Sequence, residues 1–253
     1  FDGISHFIKR GYNLCINHGN GPQVGNEIMR MELTQDTVPP LPLGVCVAST
    51  QGSIGYMIQQ CLQNKLREME IDREVVTLVS QVIVDKNDDS FKEPTKYIGK
   101  RYTKQEADEM TTNFDWHFKE QEEGKYRRVV PSPMPEYIMH GKSIKALVDR
   151  GTIVIASGGG GIPVYNNSLG KLEGLDAVID KDYSAAKMGR IIRAHELWII
   201  TDVDAVYENF GSSNQKRVSS MTKKEAERLY DEGLFQKGSI APKVRAAIHF
   251  LKH

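Results

Sequence analysis

The sequence predicts an α/β fold in which short, buried, parallel strands alternate with helices. Three observations carry that expectation. Short apolar or β-branched runs recur, each followed by Gly or Asp, as expected of parallel strands ending at a ligand-facing edge. The segments between them carry helix-start signals. No internal repeat or low-complexity linker divides the chain, and 253 residues suit one large α/β domain or two small ones.

Taken in order, Asn13 to Asn17 reads as a strand and so does Val75 to Val84; Thr152 to Ala156 and Leu197 to Thr201 are the later candidates. Thr103-Lys104-Gln105-Glu106 and Thr222-Lys223-Lys224-Glu225 match the capping box, in which hydroxyl and carboxylate satisfy orphan amides reciprocally. Ile144, Leu147 and Val148 form a helical apolar stripe that Gly151 can stop. Residues 86–126 break this rhythm. They are rich in charge and aromatic side chains (Phe91, Tyr97, Tyr102, Phe114, Trp116, Phe118) and poor in strand signals. Two readings stay open there: a partly folded surface insertion, or a small lid over an active site.

Composition narrows the function classes. Lys plus Arg equals Asp plus Glu, 33 against 33, so the basic excess that general nucleic-acid or anionic-membrane binding needs is absent. Cys15, Cys46 and Cys61 form no CxxC pair, which speaks against a disulfide framework or structural zinc and fits a reducing cytosol. No apolar run approaches the ~20 residues of a membrane span. The chain opens Phe1-Asp2-Gly3-Ile4, without an initiator Met or signal pattern, so we expect the native N-terminus to lie upstream.

Four segments point to anion chemistry. His18-Gly19-Asn20-Gly21-Pro22-Gln23-Val24-Gly25 follows a strand and precedes a helix; it reads either as a tight turn or as a loop that brings an oxyanion to backbone amides. Its spacing matches neither the dinucleotide fingerprint nor the Lys-ending P-loop. Ser157-Gly158-Gly159-Gly160-Gly161 also follows an apolar strand. Four glycines lose considerable chain entropy on folding, and close approach of a ligand to the backbone is the better explanation. Asp180-Lys181-Asp182 reads as a solvated charge cluster or as a site edge, where Lys181 neutralises phosphoryl oxygens and Asp182 orients it. In Gly238-Ser239-Ile240-Ala241-Pro242-Lys243, a lysine in a first helical turn opposes the helix dipole unless an anion is present; an exposed lysine is the alternative.

Together these segments resemble the carbamate kinases of the amino acid kinase family. The matching stretches are NHGNGPQVG (17–25), ASTQGSIGY (48–56), EPTKYIG (93–99), RRVVPSP (127–133), ASGGGGIPV (156–164), GLDAVIDKD (174–182), TDVDAVY (201–207) and GSIAPKVRAAI (238–248), in the family's order. The resemblance implies a three-layer αβα sandwich around a mostly parallel sheet with an inserted lid, usually as a cytoplasmic homodimer. It implies reversible phosphoryl transfer between ATP and carbamate, giving ADP and carbamoyl phosphate, with Mg2+ and typically running toward ATP. Lys96 matches the family's lid lysine, Lys181 and Lys243 the two lysines flanking the transferred group, and Asp182 the aspartate that organises them. Gly19, Asn20 and Gly21 match the substrate side, as do Gly158, Gly159 and Gly160. Thr201, Asp202, Val203, Tyr207 and Ser239 match the nucleotide side.

This chain departs from the pattern in starting after the family's first strand and its Gly-rich loop, and in stopping before the last hairpin. Tyr97 stands where Pro is usual, and the approach to Arg128 is short. Other readings are a kinase-like binding or regulatory protein, which retention of Lys96, Lys181, Asp182 and Lys243 disfavours, and an amino acid kinase acting on a larger carboxylate. A nicotinamide oxidoreductase is rejected, because the region Thr37 to Leu43 is Pro-rich where an acidic ribose anchor should stand.

Overall fold

A computed structural model of the chain describes residues 2–235 and 240–252. In chain order it runs α1 (Asp2–Lys9), β1 (Cys15–Ile16), α2 (Gly21–Thr34), α3 (Leu43–Glu68), β2 (Val75–Leu78) and β3 (Gln81–Ile83). There follow β4 (Lys96–Tyr102), α4 (Lys104–Phe114), β5 (His117–Glu122), β6 (Lys125–Val130), β7 (Tyr137–Ile138), α5 (Gly141–Asp149) and β8 (Ile153–Ala156). The remainder holds β9 (Ile162–Asn166), β10 (Leu172–Gly174), α6 (Lys181–Ile191), the hairpin strands β11 (Val206–Glu208) and β12 (Lys216–Val218), α7 (Lys223–Asp231) and α8 (Ile240–Phe250).

β8 organises the core. All four of its residues are buried, because helices cover both faces of its sheet. It pairs in parallel with β1, Cys15 opposite Val154, and with β2, Val75 opposite Ile153. Successive side chains point to opposite faces. Ile153 and Ile155 accordingly pack with Ile8, Leu62 and Leu66, from α1 and α3, while Val154 and Ala156 pack with Ile144, Val148 and Met188, from α5 and α6. This is the expected three-layer arrangement. Each fully buried Ile or Leu contributes roughly 1.5–3 kcal/mol, so a one-residue slip of β8 would be strongly opposed.

The segment Val75–Val84, expected as one strand, is two. The chain kinks at Val79–Ser80, and beyond the kink β3 pairs in parallel with β9 in a second sheet ordered β10-β9-β3-β7. Gln51 of α3 supplies the cause. Its Oε1 accepts the Ser80 amide (2.7 Å) and its Nε2 donates to the carbonyls of Ser80 (3.2 Å) and Gly158 (3.0 Å), so a side chain holds the backbone where the ladder is interrupted.

Leu197–Thr201, also expected as a strand, forms none. A strand needs a ladder partner, and among the described residues this run has none; Trp198 leans on Phe7 (centroids 4.7 Å apart) and Ile200 is exposed. Residues 86–126, expected to be poor in strands, contain β4 and β5, which join β6 in an antiparallel sheet ordered β4-β6-β5. Their exposed faces carry charge, such as the Arg101–Glu122 pair (2.5 Å), so apolar runs do not mark them. Ile98 and Val130 root this sheet against Val24, Ile28, Leu43 and Val47 of α2 and α3. Both capping boxes form as expected, at Thr103 with Glu106 and at Thr222 with Glu225. No helix among the described residues is long and apolar enough to cross a membrane.

Candidate active site

β1, β2 and β8 run parallel, so their carboxyl ends open at one edge, where open α/β sheets bind ligands. There the His18–Gly21 loop stacks on the Ser157–Gly161 loop. The stacking accounts for the glycines. A Cβ on Gly158 would stand 2.2 Å from His18 Nε2, on Gly159 2.2 Å from Asn20 Nδ2, and on Gly160 2.1 Å from the Ile179 carbonyl oxygen. The amides of Gly159, Gly160 and Gly161 donate to the carbonyls of His18 (2.8 Å), Ser157 (3.0 Å) and Gly158 (3.1 Å). Close packing of protein on protein therefore already requires the glycines that the sequence reading gave to ligand approach. Gly158, Gly159 and Gly160 are buried beneath the first loop.

The first loop is the open one. Gly19 and Gly21 are exposed, and Gly21 starts α2. Asparagine is a favoured N-cap, yet Asn20 makes no side-chain cap: its Nδ2 donates to Thr50 Oγ1 at 2.9 Å. The first turn of this 14-residue helix thus lacks a side-chain partner, a geometry that attracts anions through aligned amides and the helix dipole. His18 Nδ1 lies 2.9 Å from the Gly19 carbonyl. Burial pulls its pKa below the usual imidazole range, against the opposing effect of that bond.

Three lysines meet at the start of α6. Asp180 is its N-cap, with Oδ1 accepting the Asp182 amide (2.9 Å) and Oδ2 accepting from Lys96 Nζ (3.1 Å) on β4. Asp182 Oδ2 accepts from Lys243 Nζ (3.0 Å) on α8. Between them Lys181 lies against Gly19, where an added Cβ would stand 3.5 Å from its Nζ. The tripeptide Asp180-Lys181-Asp182 therefore gathers lysines from 84 and 61 positions away along the chain. The local reading gave Asp182 to Lys181 and the resemblance gave it to both Lys181 and Lys243; its carboxylate bonds Lys243. Asp180 was missing from the expected set, although an acidic residue just before a helix start is an N-cap signal. Ser157 was missing too. It is a non-glycine residue in the left-handed region (φ 53°), fully buried, and its amide donates to Ser80 Oγ (3.0 Å). Backbone strain of this kind collects at functional sites.

The expected nucleotide residues lie outside this bonded cluster. Val203 packs against Leu229, Ile240 and Val244, on the helix pair that carries Lys243. Thr201 donates to Asp202 (3.2 Å), and the Tyr207 hydroxyl donates to Asp204 (3.1 Å). Ser239 lies outside the described residues. Among the described residues no group of three or more His, Cys, Asp or Glu side chains could hold a metal ion.

Three ammonium groups against two carboxylates, beside an uncapped helix start at the carboxyl edge of a parallel sheet, define an α/β protein that handles an anionic group. More narrowly, the chain belongs to the amino acid kinase family, whose family model matches residues 1–253. The carbamate kinase of Pyrococcus horikoshii is 43% identical over 252 residues, spanning 99% of this chain and 80% of that protein. Carbamate kinase 2 of Staphylococcus epidermidis is 45% identical over 247 residues, with 97% and 80% covered. Among solved structures, the carbamate kinase from Giardia lamblia bound to AMP-PNP superposes with a TM-score of 0.91 at 38% identity, covering 98% of this chain and 78% of that one.

Proposed function

We propose that this chain catalyses reversible phosphoryl transfer between ATP and carbamate, giving ADP and carbamoyl phosphate and running physiologically toward ATP. The observation that carries the reading is the convergence of Lys96, Lys181 and Lys243 on Asp180-Lys181-Asp182. In the forward direction a carbamate oxygen forms a bond to the γ-phosphorus, and the bond to the β–γ bridging oxygen breaks with its electron pair leaving on ADP. Carbamate is already an anion, so no proton has to be removed from the attacking oxygen, and no general base is needed. What the step does need is positioning and charge neutralisation. Lys181 and Lys243 flank the transferred phosphoryl group. Lys96 reaches it from the β4-β6-β5 sheet, which makes residues 86–126 a lid. Each well-placed donor supplies about 3 kcal/mol in the transition state.

Gly19, Asn20, Gly21 and the open start of α2 take the carbamate side, supported from below by Gly158, Gly159 and Gly160. Thr201, Asp202, Val203, Tyr207 and Ser239 take the nucleotide. A kinase that uses ATP implies a metal. Asp180 and Asp182 each already hold a lysine, which fits an ion that would arrive on the nucleotide phosphates and keep most of its waters, with at most one or two of these carboxylates beside it. The ion would supply neutralisation of charge on the phosphate oxygens. We further propose a cytoplasmic homodimer; the exposed Val45, Tyr56 and Met57 on α3 support the subunit contact. ATP formation from ADP and carbamoyl phosphate, with acetyl phosphate and aspartyl phosphate assayed alongside, tests the reading. Turnover with carbamoyl phosphate alone is expected, and no ATP from it would refute the assignment.

A further inference from the structure

We propose that Thr50 is a positioning residue for the anionic substrate: it fixes the side-chain amide of Asn20 and thereby keeps the first turn of α2 open. The proposal rests on the function proposed above, and it concerns a residue in the ASTQGSIGY segment to which that function attaches no role. Thr50 is 1% exposed, so its hydroxyl must find its partners inside the protein. Its one proton goes to the carbonyl of Val47, 2.7 Å away on the preceding turn of α3. Oγ1 is left able only to accept, so Asn20 must present Nδ2 to it, at 2.9 Å.

The other side of that amide is closed as well. A Cβ on Gly159 would stand 2.2 Å from Asn20 Nδ2 and 2.6 Å from its Oδ1, so the second glycine loop presses the amide toward Thr50. The neighbouring Gln51 fixes that loop through the Gly158 carbonyl. Adjacent residues of one long helix thus set both loops in register. Held in this way, a residue type that normally caps helix starts is turned from its own helix. The amides at the start of α2 stay available to an anion beside Lys181.

Thr50→Val keeps the shape and removes the acceptor. We expect the KM for carbamoyl phosphate to rise about five- to tenfold, the loss of roughly one hydrogen bond, with the KM for ADP unchanged. Thr50→Ser, which keeps the hydroxyl, is expected to restore wild-type values. Gln59→Leu is the control. Gln59 lies on the same helix and accepts from the Thr77 hydroxyl of β2 (2.9 Å); the change removes that bond without touching either loop, and is expected to lower Tm while leaving both KM values alone. An unchanged KM for carbamoyl phosphate in Thr50→Val overturns the proposal. So does a parallel rise in both KM values, or failure of Thr50→Ser to restore them, since either marks a general packing effect. Should the wild type make no ATP, the functional reading fails first, and hydrogen exchange then decides separately. Inorganic phosphate is expected to protect the amides of Gly21 and Gln23, the two free N–H groups of the first turn (Pro22 has none and Val24 already donates to the Asn20 carbonyl at 2.8 Å), in the wild type and not in Thr50→Val; equal protection, or none in either, overturns the positioning role.

Discussion

Replacing Lys243 by Met separates the structural and chemical roles of the ion pair on α6. Methionine keeps most of the aliphatic stem and removes the ammonium that donates to Asp182 at 3.0 Å. The side chains of Lys243 and Asp182 are only 19% and 11% exposed, so the carboxylate left behind is poorly solvated. An orphaned, largely buried polar group costs about 1–3 kcal/mol. At about 2–4 °C per kcal/mol for a domain of this size, Tm should fall by roughly 2–12 °C. On the role proposed for Lys243 the rate should suffer far more, because loss of one charged donor to the transferred group lowers kcat by about 10²–10³. Asp182→Asn added to Lys243→Met removes the orphan charge, so Tm should recover while kcat does not. Calorimetry and ATP formation from ADP and carbamoyl phosphate measure the two quantities. A kcat within tenfold of wild type in Lys243→Met, or a double variant no more stable than the single one, refutes the reasoning.

Two further perturbations address the loops. Gly160→Ala places a methyl 2.1 Å from the Ile179 carbonyl oxygen at a φ of 94°, so both strain and overpacking apply; urea unfolding should show a loss of about 2–5 kcal/mol, and a loss under about 1 kcal/mol would mean that the second loop does not pack on Ile179 as described. His18 has a folded pKa below its unfolded value of about 6.5, so the unfolded state binds the proton first as pH falls; its stabilising contribution is complete above about pH 6.5 and is lost as pH drops through the depressed folded value. His18→Gln should flatten the fall of the urea midpoint between about pH 7 and pH 5, and parallel profiles for variant and wild type would exclude that contribution.

How much of this was legible in the sequence depended on whether the signal was local. The capping boxes at Thr103 and Thr222 and the apolar run Thr152 to Ala156 are local patterns; the boxes appear as read and the run appears as β8, one residue shorter at its start. The break at Ser80 is not local: it is set by Gln51, 29 positions earlier, and nothing in Val75–Val84 announces it. Leu197–Thr201 has strand composition without a ladder partner among the described residues, so propensity alone misled there. The three lysines were found as separate hints, and only the family resemblance joined them. The resemblance tied Asp182 to Lys181 and Lys243, but the pairing of Asp180 with Lys96 was beyond either route. That pairing depends on the angle at which α8 and β4 approach α6, a tertiary property.

The pairing also resolves an apparent contradiction in the site. Tying lysines to aspartates weakens their net charge, which looks wasteful where a phosphate is to be held. A free lysine, however, carries roughly 2 kcal/mol of rotamer entropy that binding would have to remove each time. Asp180 and Asp182 occupy one donor direction on Lys96 and on Lys243; on the proposed function the other ammonium protons of each are left for the substrate. The lysines are thereby held in place before substrate arrives. Phosphoryl transfer redistributes charge among oxygens without creating much new charge, so fixed donors with a small surplus, three positive against two negative, suit it better than a larger unpaired cluster. A denser positive patch would bind substrate and product tightly alike. That lowers KM without raising turnover, and in a reversible reaction it would slow release in both directions.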